Sequence, residues 1–231
     1  MASHTSDVLS TPELLEQILA ELPMLDLLVT APLVCKPWHA LSLSSPTLQR
    51  ALFFQPDSSV SVSQRIQNPL LVKLFPPFFV CNTGSHPIST LDAIMAMPWS
   101  KAPDAFRRAD ASWRRMLVTQ PPTHSLVVRQ KFSSIEHISR RQGVVNDLSL
   151  SMGLLYDLTI PFLDDESSFR VLWHGESPHD SAADDSLTLS LFTAARWEYD
   201  GPERTLDTTF FSAAASPIFI PFGEWERLCS K

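Results

Sequence analysis

Apolar residues in the first fifty positions recur at helical spacing. Thr11-Pro12-Glu13 reads as a helix start: a hydroxyl cap, a proline at the first helical position and an acid in the first turn. Leu14, Leu15, Ile18, Leu19 and Leu22 then predict a single apolar face, with Glu13, Glu16, Gln17 and Glu21 on the opposite side. Pro23 ends that helix and opens a second, in which Leu25, Leu27 and Leu28 are expected to face inward and Asp26 lies in the first turn. A third run, Cys35 to Leu43, places Trp38, Leu41 and Leu43 on one face before Ser44-Ser45-Pro46 closes it. Helices joined this closely pack antiparallel or crossed, and so small a bundle leaves apolar surface for something else to cover.

The pattern then changes. Asp57 to Gln64 is Ser-rich and reads as an exposed connection. Asn68 to Val80 is strongly apolar with interspersed prolines, an extended or short helical segment on a core. Asp110 to Val118 predicts a short amphipathic helix, capped by Asp110 or Ser112 and stopped by Pro121-Pro122. Period-two alternation predicts strands over Ser125 to Phe132, Phe169 to Trp173 and Leu187 to Leu191, with further short strands over Thr208 to Phe211 and Ile218 to Ile220. Leu154 to Ile160 fits helix or strand equally. The fold class is α+β: an N-terminal three-helix unit over 1–55, a connection over 56–66, and a mixed domain over 67–231 with several antiparallel strands and short helices. No leucine-rich or Trp-Asp repeat period occurs.

Composition narrows the function classes. The chain has 231 residues, 44% of them hydrophobic, with 19 prolines and 6 glycines, which suits a globular protein with many stiff turns. A net charge of -7 argues against nucleic acid as a partner. The cysteines, Cys35, Cys81 and Cys229, are odd in number and widely spaced, so no disulfide framework is indicated. The N-terminus lacks the basic and apolar regions of a signal peptide, and no stretch is long and apolar enough for a membrane span. These features predict an intracellular protein, in cytoplasm or nucleus.

Catalytic and metal patterns are sparse. His174, Glu176, His179 and Asp180 cluster in HGESPHD without a second half at zinc spacing, and Asp164-Asp165-Glu166 lacks the calcium-loop pattern. There is no nucleophile elbow, phosphate loop or paired-histidine zinc helix. No metal, no cofactor and no catalytic residue is predicted, and the chain is expected not to be an enzyme. Charge is unevenly spread: residues 101–141 hold 9 basic and 3 acidic side chains, whereas 147–207 hold 3 basic and 13 acidic. Arg107, Arg108, Arg114, Arg115, Arg129 and Lys131 are candidates for gripping a phosphorylated or acidic protein segment, since arginine forks fit phosphate and carboxylate. The alternative is that the two blocks pair within the fold.

Leu9-Ser10-Thr11-Pro12-Glu13-Leu14-Leu15, Ile18-Leu19, Leu22-Pro23, Asp26-Leu27-Leu28 and Val34-Cys35-Lys36-Pro37-Trp38 together resemble an F-box, with the anchors holding their mutual spacing. Ser45 to Phe54 is similar to the tail that follows the box in filamentous-fungal members, and Ser112-Trp113-Arg114-Arg115-Met116-Leu117 with Gln120-Pro121-Pro122 resembles their post-box region. Pro32 departs from the family pattern, because it falls inside the second helix and removes a backbone hydrogen bond there. The resemblance implies a substrate-receptor subunit of a Skp–cullin–F-box ubiquitin ligase. Its partners would be the Skp adaptor, through it the cullin and RING subunits, and a protein substrate. Carried over residue by residue, the adaptor-binding or bundle positions are Pro12, Leu14, Leu15, Ile18, Leu22, Pro23, Leu27, Leu28, Val34, Cys35 and Trp38. The alternative implied role is an F-box/Skp interaction protein acting outside a cullin ligase, structural or regulatory in purpose.

Overall fold

A computed structural model describes residues 11–79, 88–97, 108–133, 138–146, 149–173, 186–194 and 225–227; at 139–141, 146, 186 and 225–227 the backbone alone is described. Helix α1 (Pro12–Ala20) begins with proline at its first turn, and the Leu15 amide donates to the Thr11 carbonyl at 3.0 Å. Only part of its apolar face goes inside. Leu15 and Leu19 are fully buried and Leu22 packs beside them, while Leu14 and Ile18 are each 41% exposed. The expected single face is therefore split: one position earlier on a helix is a rotation of about 100°, and the neighbouring helices cover a stripe narrower than that.

The second helical segment contains a widened π turn over Asp26–Thr30, where the Ala31 amide reaches back to the Asp26 carbonyl, followed by α2 (Ala31–Val34). The wide turn sits immediately before Pro32. In a regular helix that ring would press on the Leu28 carbonyl and leave it without its amide donor, so the extra residue in the turn relieves the conflict. Leu27 and Ala31 are buried, but Leu25 is half exposed, against the expectation that it faces in. Cys35 is extended (φ -163°), and α3 (Lys36–Ser44) takes Pro37 in its first turn. Trp38 and Leu41 pack on the bundle interior; Leu43 turns outward.

Ser45 joins two helices. Its hydroxyl accepts from the Leu48 amide at 3.1 Å, capping α4 (Pro46–Ala51), and donates to the Glu16 carboxylate on α1. At the far end of α4 the Phe54 amide bonds the Gln49 carbonyl and the Phe53 amide the Arg50 carbonyl, a Schellman closure that puts Phe53 at φ 60°. A side chain in that region costs about 1 kcal/mol. Phe53 is buried, and its carbonyl accepts from the Leu117 amide at 2.7 Å, so tertiary contacts hold the conformation.

The remainder is a mixed sheet with helices packed on it. The order is β2 (Ser89–Thr90), β6 (Ser167–Leu172), β7 (Ser186–Ala194), β4 (Ser125–Ser133), β5 (Ile138–Asn146) and β8 (Trp225–Arg227); β1 (Ile66–Gln67) and β3 (Thr119–Gln120) form a separate pair. Helix and strand thus share the chain as an α+β fold. The expected antiparallel strands are present, and beside them β4 and β7 run parallel, from Ser125 opposite Ser186 to Ser133 opposite Ala194. The β4–β5 hairpin occupies one edge of β4, and the chain returns through a helix and β6 before β7 reaches the other edge. Alternation shows which side of a strand is apolar, but not which strand lies beside it. Within β7 the alternating leucines, Leu187, Leu189 and Leu191, face the core with Leu126, Val128, Phe169 and Val171.

Against this core lie α5 (Pro69–Leu74), α6 (Leu91–Met95), α7 (Ser112–Arg115) and α8 (Met152–Thr159), the last settling the undecided segment as helix. Aromatic rings fill the centre, with Trp113 at 5.0 Å from Phe75 and 5.1 Å from Tyr156. Helix α7 is shorter than expected and follows Ala111, with neither Asp110 nor Ser112 as its cap residue. It ends well before Pro121 because the Leu117 and Val118 amides go to Phe53 and Leu150 carbonyls, not to the preceding turn. The helical layer and the sheet layer meet at residues 50–55: the Gln120 carboxamide donates to the Arg50 and Gln55 carbonyls, and Met24, Leu28 and Phe54 touch both apolar clusters. The strands anticipated at 208–211 and 218–220 lie outside the described residues, whereas β8 was not anticipated.

Candidate functional site

The eleven motif positions on the helical layer fall into two groups. Leu15 and Leu27 are interior, and Leu22, Leu28 and Trp38 pack against that interior. Pro12, Leu14, Ile18, Pro23, Val34 and Cys35 are exposed. Further exposed apolar side chains join them: Leu25, Val29 and Leu33 recur at every fourth position along the second helical segment, with Leu33 81% exposed and Val34 56% exposed. Their spacing was readable in the sequence; their exposure was not, because it depends on which side α1 and α3 cover.

The Glu16–Ser45 contact of this layer is structural. The Ser45 hydroxyl, then that of Thr47, hold the Glu16 carboxyl below its ordinary pKa. Cys35 is an exposed free thiol. Among the described residues no cluster of His, Cys, Asp or Glu is arranged to hold a metal ion, and the HGESPHD cluster lies outside them. No helix among the described residues is long and apolar enough to cross a membrane.

The basic positions are dispersed. Arg108 makes a two-pronged pair with Asp110 at 2.8 and 3.0 Å, its hydrogen bond holding the Asp110 carboxyl below the usual range. Arg114 grips Asp157 on α8 and lies over the Trp113 ring, so this cation is spent on holding α7 to α8. Arg115 is exposed and rests over the Phe54 ring at 5.0 Å. Arg129 and Lys131 are on β4, where Arg129 donates to Gln142 at 3.2 Å. Arg107 lies outside the described residues. The Arg114–Asp157 contact joins the basic block to the acidic one within the fold.

No family model, no curated protein and no solved structure matches this chain.

Proposed function

We propose that the chain is a substrate-receptor subunit of a Skp–cullin–F-box ubiquitin ligase, docking the Skp adaptor through its helical layer and carrying a protein substrate on the mixed domain. One observation carries the reading: motif positions Leu14, Ile18 and Val34 are apolar yet left to solvent, while their neighbours Leu15, Leu19 and Leu27 form the chain's own core. Exposed aliphatic residues at helical spacing, beside Pro12 and Cys35, are suited to a helix-lined partner groove. In this role the chain catalyses nothing itself. It raises the local concentration of substrate near a charged conjugating enzyme.

The test is co-expression with a Skp adaptor, comparing wild type with Leu14→Glu and Ile18→Glu. A one-to-one complex that both variants lose while staying folded supports docking, and cullin co-purification then separates ligase work from a role outside it. A wild-type chain that stays folded and alone beside the adaptor ends the proposal.

A further inference from the structure

The sheet has a second face, opposite the apolar core, on which positive charge collects. In register, Ser190 of β7 stands between Arg170 of β6 and Arg129 of β4, and Phe192 stands between Ser168 and Lys131. Lys131 is in turn opposite Arg140 on β5. Successive residues of a strand alternate faces, and Phe169, Val171, Leu126, Val128, Leu189 and Leu191 are all in the core, so Arg170, Arg129 and Lys131 share the other side. In the register of β5 and β8, Glu226 stands opposite Gln142.

The cations are not neutralised by one another's usual partners. Arg170 lies with its guanidinium over the Phe192 ring at 5.8 Å, and its Nε is buried with no hydrogen-bond acceptor. Arg129 spends its Nε on Gln142, which leaves its terminal nitrogens, and Lys131 makes no ion pair among the described residues. Between Arg170 and Arg129 stands Ser190, buried, small and hydroxylated, with the buried Thr188 two positions along the same strand face. A buried guanidinium donor without an acceptor is a costly state that an incoming oxyanion relieves.

We propose that this face of the sheet binds a phosphoryl group, with Arg170 as its anchor and Lys131 and Arg129 beside it. Strands about 4.8 Å apart put the Arg170 and Arg129 backbones about 10 Å apart across β7, a span that two arginine side chains close around a tetrahedral group. Several cations on one side of a sheet suit a dianion better than a single carboxylate. Arg170 lies outside the basic block, on a strand inside the acidic stretch of sequence, so only strand pairing brings it to Arg129 and Lys131. The inference does not rest on the adaptor reading: Leu14→Glu removes docking in that reading and leaves this face intact.

The test is titration of the full chain with inorganic phosphate at fixed ionic strength against chloride, followed by thermal shift and calorimetry. In parallel, a phosphoserine peptide is compared with its unphosphorylated twin. Phosphate is expected to raise the unfolding temperature where chloride does not. Arg170→Gln and Lys131→Gln are each expected to weaken binding about tenfold or more. Arg170→Lys keeps part of the affinity, and Arg114→Gln, at a cation committed to Asp157, keeps all of it. A phosphopeptide that binds more tightly than phosphate identifies a protein-borne group; equal affinity identifies a free anion. No shift beyond chloride, or a shift undiminished in a folded Arg170→Gln protein, overturns the site.

Discussion

Asn68 and Leu117 are 49 residues apart in sequence and joined by one hydrogen bond: the Asn68 Nδ2 donates to the Leu117 carbonyl at 3.2 Å. The Asn68 Oδ1 meanwhile accepts from the Leu70 and Leu71 amides at 3.0 and 3.2 Å, and the Asn68 amide itself donates to the Val118 carbonyl. One fully buried carboxamide therefore caps α5 and fixes it to the strand-like segment that enters β3. Every side-chain group is satisfied, which is why a polar residue is tolerated there.

Replacing it should be costly. Asn68→Ala removes the cap and leaves a buried carbonyl without its donor, so we expect a loss of about 2–3 kcal/mol. Urea denaturation measures it. A loss of only a few tenths would mean that water replaces both roles.

Gly153 makes a second pinch point. A Cβ there would lie 2.7 Å from the Arg114 carbonyl oxygen and 3.1 Å from the Arg114 Cβ. Alanine in an exposed helix would gain about 1 kcal/mol over glycine, but here α8 would have to back away from α7. Gly153→Ala is expected to destabilise by about 1–3 kcal/mol, read as a lowered denaturation midpoint; a stabilised variant would show that the two helices separate freely.

One helical turn beyond Gly153, Asp157 holds Arg114, and both side chains are largely buried at 17% and 18% exposure. Removing either partner strands the other. Arg114→Met and Asp157→Asn should each destabilise, and the double variant should lose less than the sum, with a coupling of about 1–2 kcal/mol. Strict additivity in the cycle would show that the pair contributes nothing beyond packing.

The Glu16–Ser45 contact gives the helical layer a pH dependence of known sign. The Glu16 pKa is lowered in the folded chain, chiefly by the Ser45 hydroxyl and then by Thr47. Its stabilisation is therefore complete above the unfolded carboxyl value and is lost as pH falls through the folded one. For a carboxylate at the surface the effect is a few tenths of a kcal/mol. Wild type should exceed Glu16→Gln in stability near pH 7, and the gap should close below about pH 4. A gap that is constant with pH would assign the difference to packing.

On the helical layer, burial separates two kinds of leucine only one position apart. Leu15→Ala is expected to cost about 2–5 kcal/mol, whereas Leu14→Ala should change stability by less than about 1 kcal/mol. Chemical denaturation of both variants checks this, and equal losses would mean that Leu14 is also part of the interior.

Much of the local structure was legible in short stretches of residues. Thr11-Pro12-Glu13 marked the start of α1, Ser44-Ser45-Pro46 the end of α3, and the Leu187-Leu189-Leu191 alternation a core strand, because caps, proline and periodicity act within a few positions. Leu154 to Ile160 was not decidable in this way, since a short apolar run satisfies helix and strand alike until its neighbours cover it.

Tertiary structure decided the rest. It split Leu14 and Ile18 from Leu15 and Leu19, committed Arg114 to Asp157, set β4 parallel to β7, and brought Arg170 beside Ser190 and Phe192 on the side of the sheet opposite the apolar core. Each of these depends on which distant segment fills the space next to a residue. Periodicity records the direction in which a side chain points; burial and charge pairing are set by what it meets there.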